Sequence, residues 1–385
     1  MKIAPHVLAV ASSLLLLASA TSRAVDYAPF NYSGPGATVI TGIRGASAID
    51  GDAVITGSLS IPDSGGNTQA IIYEGSIYSQ NGTWTPLTPT ISGQTITTST
   101  LYGPNTGYYD PSLGVNGIRA VGSYKYSTGG SYDHGLMYTR IGGVETWSQF
   151  DMPDSVAGGT VLYTIAHSTM GSLVVGNYDT QLDEGHAFVY DLNTSTFRNF
   201  LPVVQGIAFD SITAYGIWKN ANGTYTIAGG YSNLANNVLD AGYLVDYDPS
   251  QSGSDAYTHF TSFQYDNQPL ASLISHFDGI VATEDGYNLT GDHATLADPQ
   301  NQLGFFAQVT RNEDGSFNTT ADWISIEYPG NAITSGNTVY GDSVLGVSTG
   351  STTTSYIATV PEPSSLALLG LASLTALATI RRRHA

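Results

Sequence analysis

Between residues 27 and 359 the hydrophobic positions fall in short runs broken by glycine, as in Ala70-Ile71-Ile72-Tyr73 and Leu173-Val174-Val175. No long segment there carries helical spacing, so the runs predict short strands joined by turns. One pattern recurs: aromatic, any, any, apolar. It reads YAPF from Tyr27, WTPL from Trp84, WSQF from Trp147, FRNF from Phe197, YTHF from Tyr257 and WISI from Trp323. Successive copies stand 57, 63, 50, 60 and 66 residues apart.

The same series follows each copy. A turn-rich stretch precedes a first strand: TVITGI, STLYGP, TVLYTI, ITAYGI, ISHFDGI or TVYGDS. A second strand is broken by glycine at Gly57, Gly122, Gly176, Gly229, Gly291 and Gly346. A third strand follows: QAIIYEG, HGLMYTR, HAFVYDL, AGYLVDY, LGFFAQV or TSYIATV. The next aromatic copy is the fourth strand. Four-stranded units repeated at this period predict an all-β, six-bladed β-propeller. The chain opens on a fourth-strand copy and reaches a third strand at TSYIATV, so the N-terminal strand is expected to close the last blade. A pair of β-sandwiches is the alternative architecture. The strand glycines are expected to relieve crowding between blades near the axis. Trp84, Trp147 and Trp323 are expected in the blade core.

Composition adds compartment. The chain has 385 residues, 44 glycines and no cysteine, which excludes disulfides and thiolate metal sites. Residues 25–360 hold seven Lys and Arg against 30 acids. Such a body lacks the cationic face that displaces counterions from phosphate, so nucleic acid is not an expected partner.

Both ends read as addresses. Residues 1–24 predict a secretory signal peptide, with Ala18-Ser19-Ala20 or Ser22-Arg23-Ala24 before the cut. Ser364 to Ile380 is an uncharged stretch at the lower limit for a membrane-spanning helix, and Arg381, Arg382 and Arg383 follow it. The domains expected are therefore signal peptide 1–24, propeller body 25–360 and sorting tail 361–385. The tail, with Pro361, Glu362 and Pro363 before the apolar stretch and arginines, resembles the PEP-CTERM sorting signal. That resemblance implies a Gram-negative bacterium producing exopolysaccharide, and an exosortase-type enzyme as processing partner. It also implies transient residence in the inner membrane before delivery to the cell envelope or medium. Val175-Gly176 with His186-Ala187-Phe188 resembles the HAF-type extracellular repeats; the other copies match less closely.

Chemistry is harder to find. No G-x-S-x-G, H-E-x-x-H, P-loop or cysteine nucleophile is present. The histidines are scattered, and polar decoration of turns and strand ends is the first reading of them; the alternative is a shared rim for His167, Tyr215 and His276, which follow the fourth-strand copies by similar distances. Acid-rich turns occur at Asp179, Asp183 and Glu184, at Glu313-Asp314 and at Glu284-Asp285. An acid in such a turn first of all serves the hairpin. Asp179, Asp183 and Glu184 are the candidate Ca²⁺ ligands, although no EF-hand spacing accompanies them. No catalytic or cofactor residue is assigned. The expectation is a non-enzymatic surface or matrix protein that binds polysaccharide, an envelope protein or a divalent cation. A secreted glycan hydrolase or lyase with carboxylates in the central channel is the alternative, and ice binding ranks last.

Overall fold

The computed structural model describes residues 24–204, 207–331 and 333–361. The signal-peptide segment, the predicted span Ser364 to Ile380 and the arginine cluster lie outside the described residues. Among the described residues, no helix is long and apolar enough to cross a membrane. One compact unit spans Tyr27–Ala358.

The unit is all-β and antiparallel apart from one link. The strands, in chain order, are β1 (Asp26–Pro29), β2 (Thr38–Gly45), β3 (Asp52–Ser60), β4 (Thr68–Ser76) and β5 (Thr83–Pro86). Then come β6 (Ile96–Thr106), β7 (Ile118–Tyr126), β8 (His134–Ile141) and β9 (Val144–Gln149). Next are β10 (Val161–Met170), β11 (Leu173–Thr180), β12 (His186–Asp191) and β13 (Thr196–Phe200). The fourth repeat holds β14 (Ser211–Ile212), β15 (Gly216–Lys219), β16 (Tyr225–Asn233), β17 (Val238–Tyr247) and β18 (Tyr257–Phe263). The fifth holds β19 (Leu273–Ala282), β20 (Gly286–Thr295), β21 (Asp298–Thr310) and β22 (Asp322–Ile326). Last are β23 (Ile333–Tyr340), β24 (Ser343–Thr349) and β25 (Thr353–Thr359).

Three sheets are simple four-strand meanders: β2 to β5, β6 to β9 and β10 to β13. A fourth runs β1-β25-β24-β23, so the strand carrying YAPF is hydrogen-bonded beside the one carrying TSYIATV. The fifth sheet has nine strands, because a single parallel pairing, Asp240↔Ile274, ties β17 to β19. On either side of that link the strands again follow the four-strand order of the sequence repeat.

The recurring aromatics pack as expected. Trp84 lies 5.1 Å from Tyr73 and 5.4 Å from Phe30, Trp147 lies 4.8 Å from Tyr138, and Trp323 lies 5.0 Å from Phe305. The pairs with Tyr73, Tyr138 and Phe305 put a fourth-strand ring against a buried third-strand ring, the cross-strand packing that stabilises sheets. The apolar residue three places on is buried at Phe30, Leu87, Phe150, Phe200 and Ile326.

The strand glycines have a reason other than the one expected. The crowding is inside each sheet, not between sheets. A Cβ on Gly57 would meet the Val39 carbonyl oxygen at 2.1 Å. The corresponding contacts are Gly122 with Thr100 at 1.9 Å, Gly176 with Ile165 at 2.2 Å and Gly229 with Thr213 at 2.0 Å. Gly291 would meet His276 at 1.9 Å, and Gly346 would meet Ser335 at 1.8 Å. In five repeats the intruding carbonyl belongs to the first strand, and in the fourth it belongs to Thr213, in the gap between β14 and β15. The first strand bulges two residues later, and only glycine opposite leaves room for it.

Candidate active site

The bulges aim side chains. The register of β2 against β3 slips between Ile40 and Gly42, leaving Thr41 extra. Tyr102 is extra in β6, His167 in β10 and Asp278 in β19. In β23 the slip between Ser335 and Thr338 takes in Asn337. In the fourth repeat the first strand is interrupted outright, and Tyr215 sits in the gap between β14 and β15. These six residues line one cavity of about 340 Å³. A bulge turns a residue out of the ladder and re-aims its side chain, and here one device is used in successive repeats.

Thr41, Tyr102, Tyr215 and Asp278 are each followed by glycine, and the sequence segments TVITGI, STLYGP, ITAYGI and ISHFDGI contain them. The other two segments were placed wrongly along the chain. TVLYTI stops short of His167, and TVYGDS starts after Asn337, because Ser168 and Thr338 stand where the other copies have glycine. That glycine lets the next inner strand approach: a Cβ on Gly42 would meet the Tyr102 carbonyl oxygen at 1.7 Å.

One side of the cavity is aromatic. The Tyr102 ring lies tilted against His167 at 4.9 Å, and His167 meets Tyr215 edge-on at 4.6 Å. Burial alone pushes the His167 imidazole down to about 3, so it is neutral. The next contact, Tyr215 to His276 at 5.6 Å, brings together the three residues expected on one rim.

The other side is ionic. His276 Nδ1 lies 2.8 Å from Asp240 Oδ2, and its Nε2 lies 3.5 Å from Asp278 Oδ2. Asp240 reaches it because the β17–β19 link sets the two strands side by side. Gly230 gives the pair space, since a Cβ there would stand 2.5 Å from Asp240 Oδ1 and 2.7 Å from His276 Cβ. Asp292 faces His276 across the β19–β20 pair. Its Oδ1 accepts the Gly336 backbone N–H at 2.8 Å. Ligand atoms of His276, Asp278 and Asp292 all lie within 4.8 Å of one another.

Burial works against charge on His276, but Asp278, Asp240 and Asp292 outweigh it and lift the imidazole to about 10. Burial also raises both Asp278 and Asp292, with the His276 charge opposing the rise. Asp278 feels the further repulsion of Asp292 and Asp240. The Gly336 N–H favours the charged form of Asp292 and opposes that rise, whereas among the described residues Asp278 accepts no backbone N–H. A proton shared by the two therefore rests on Asp278, which is also the one that lines the cavity. Such a group can give a proton to a bound substrate. With a histidine and two carboxylates so close, the donor set could equally suit a divalent cation.

The acids first singled out are elsewhere. Asp179 Oδ1 accepts the Gly185 N–H at 2.8 Å. Asp183 Oδ1 takes the Thr180 hydroxyl at 2.8 Å and lies 2.8 Å from His186 Nε2. Glu184 is exposed beside them. All three serve or flank the turn after β11. The sequence did hold a signal for the cavity acids. Asp278 stands where other repeats have Thr41, Tyr102, His167, Tyr215 and Asn337. Asp292 follows the strand glycine where others have Ser58, Ser123, Asn177, Gly230 and Val347. One repeat thus carries an acid at both positions.

The PEP-CTERM protein-sorting motif matches residues 359–383. The chain carries an exosortase-type sorting signal. It is an exported, envelope-associated protein of Gram-negative type, and the signal implies processing by an exosortase. No curated protein matches the chain. Among solved structures, the chain is similar to Trypanosoma rangeli sialidase bound to the inhibitor DANA, at 9% identity and a TM-score of 0.45 over 94% of this chain. It spans 61% of that structure. It is similar to the α-L-arabinofuranosidase of Lactobacillus brevis at 13% identity and a TM-score of 0.41, over 73% of this chain and 94% of that one. The GH74 xyloglucanase of Xanthomonas campestris matches at 9% identity and a TM-score of 0.39, over 84% of this chain and 52% of that one.

The expectation of a non-enzymatic surface or matrix protein is therefore corrected. The three solved structures named above are a sialidase, an arabinofuranosidase and a xyloglucanase, all glycan hydrolases. Sequence inspection singled out neither Asp278 nor Asp292, because the bulge and the strand pairing bring them together.

Proposed function

We propose that this chain is an exported glycan hydrolase built on a six-bladed β-propeller, with Asp278 as the acid at its axial cavity. Six inner strands, one from each sequence repeat, contribute to a single cavity, which supports six blades about one axis. The pairing of β1 with β25 supports closure of the last blade by the N-terminal strand. The signal peptide over 1–24, the body over 25–360 and the tail over 361–385 belong to the same proposal. The HAF-like Val175-Gly176 and His186-Ala187-Phe188 support an extracellular setting.

The observation that carries this reading is Asp278 at the cavity wall, with Asp292 buried behind it and within 4.8 Å. Glycoside cleavage needs a carboxylic acid that keeps its proton near neutral pH, and a nearby negative charge that steadies the oxocarbenium-like transition state. Asp278 supplies the first and Asp292 the second. Asp240 and His276 position them. The cavity, at about 340 Å³, falls in the usual range for a small-ligand site of roughly 300–1,000 Å³.

The test is turnover of a glycan panel by the purified chain, including the exopolysaccharide of the producing strain, with reducing ends as the readout. Asp278→Asn should lower kcat by about 10²- to 10⁴-fold, the usual contribution of a positioned acid, with an unchanged melting temperature. Wild-type turnover by Asp278→Asn, or no turnover by the wild type across the panel, overturns the reading.

A further inference from the structure

Arg44 is the most buried cation of the described chain, at 6% exposure. The other cations that are at least half buried each meet a carboxylate. Arg119 lies 3.1 Å from Asp110, Lys125 3.1 Å from Asp133, Arg140 2.8 Å from Glu74 and Arg311 2.7 Å from Asp246. Arg44 meets none among the described residues. Its Nε donates to the Pro104 carbonyl oxygen at 3.3 Å. Its guanidinium carbon stands over the rings of Trp218 at 5.1 Å and Tyr109 at 5.9 Å. In a body with 30 acids and seven bases, the one deeply buried guanidinium has been left without an acid.

Burying a cation without a counter-charge is costly, and two aromatic faces recover only part of the loss. Arg44 lines the same cavity as Asp278. It lies three residues beyond the bulge residue of its strand, which sets it roughly 10 Å along the inner strand from the level of the bulge residues at about 3.3 Å per residue. Burial pushes the guanidinium down to about 10, so it stays charged at neutral pH. The remaining N–H groups form a planar fork suited to a carboxylate or sulfate.

We infer that Arg44, between Trp218 and Tyr109, is a subsite for an anionic substituent on a sugar ring, so that the glycan bound in this cavity is acidic. The sources of that anion are the carboxylate of a uronic acid and a sulfate ester. This rests on the proposed reading of the cavity as a glycan site. The polyanionic exterior opposes such a glycan everywhere else, and the buried cation selects for it at one point.

The test is binding rather than turnover, read from the fluorescence of Trp218 with Trp218→Phe as the control for the other three tryptophans. Glucuronate and glucose 6-sulfate are titrated into the purified chain, with glucose as the neutral comparison. One of the two anionic sugars should bind at least ten-fold more tightly than glucose, and which one does so names the source of the anion. Arg44→Met should lose about 10- to 100-fold, the worth of one charge-assisted pair. Arg44→Lys, which keeps the charge and guards against misfolding, should retain part of the preference. Equal binding of glucose and both anions, or full anion binding by Arg44→Met, overturns the inference. Anion binding without turnover of any glycan therefore sinks the hydrolase reading alone, and turnover confined to neutral glycans sinks the Arg44 inference alone.

Discussion

Two histidines flank Tyr215, and they are opposites. His167 packs edge-on at 4.6 Å, and burial without a carboxylate holds it neutral, down at about 3. His276 packs at 5.6 Å from the same ring, is buried as well, and is held charged up to about 10. Burial lowers both. What separates them is company: Asp240 at 2.8 Å and Asp278 at 3.5 Å on one side, rings alone on the other. Depth in a fold therefore does not decide whether a histidine is a cation. The neighbouring repeat decides it, here by delivering Asp240 through one parallel strand pairing. The uncharged half of the cavity wall can pack against the face of a sugar, and the charged half can move a proton.

The largest way to break that comparison is to remove each ring in turn. His276→Phe strips the only cation from a group of three carboxyl groups. It should cost roughly 3 kcal/mol, the low end for breaking a buried ion pair, because His276, Asp240 and Asp278 keep 21%, 27% and 21% of their side-chain exposure. His167→Phe replaces a neutral ring that has no charged partner among the described residues, and should cost under about 1.5 kcal/mol, as shape-conserving core changes do. Urea unfolding of both variants checks this. Equal losses would mean that the carboxyl groups are not what holds His276.

The same contrast predicts two limbs of stability against pH. His167 binds its proton far more weakly folded than unfolded. The unfolded chain takes up the extra proton between its ordinary value of 6.5 and about 3, so His167 makes stability fall on acidification through that window. His276 has the opposite sign. Its folded pKa is raised, so its contribution is complete below 6.5 and is lost as pH rises toward about 10. Melting temperatures from pH 3 to 10 should show His167→Phe flattening the acid limb and leaving the alkaline limb alone. Flattening of both limbs, or of neither, would contradict the assignment.

Much of this was legible in the sequence, and the boundary is physical. The aromatic copies, third-strand runs and strand glycines mark the repeat because each is set by contacts within one sheet. The neighbourhood of Tyr215 and the two histidines followed from spacing alone. What was not legible lies between repeats or depends on a slipped register. Asp240 and His276 are 36 residues apart and meet through one strand pairing. Asp278 stands inside the segment ISHFDGI and Asp292 directly follows the strand glycine Gly291, yet nothing local says that a bulge turns the first of them into a cavity. Arg44 was counted as one of seven bases, and only the structure shows that it lacks the acid the other half-buried cations have.

The smallest expected effect concerns a third histidine, His186, which also has an aspartate partner. Asp183 Oδ1 sits 2.8 Å from His186 Nε2, as close as Asp240 sits to His276. Here the pair lies on the surface, with the Asp183 side chain 62% exposed. Hydrogen bonds from His186 and Thr180 lower the Asp183 pKa, but water screens whatever the charges add. Asp183→Asn should therefore melt within error of wild type, and 0.5 M salt should not separate the two. The matching change at the cavity, Asp240→Asn, should lower the melting point measurably and pull the His276 titration down from about 10, as read by the NMR of its ring protons. If Asp183→Asn were the more damaging of the two, proximity would matter more than burial, and the contrast between the two sides of Tyr215 would need another cause. If it is silent, the Asp183 carboxylate is spare for the turn, and the cavity cluster is where this fold commits its charges.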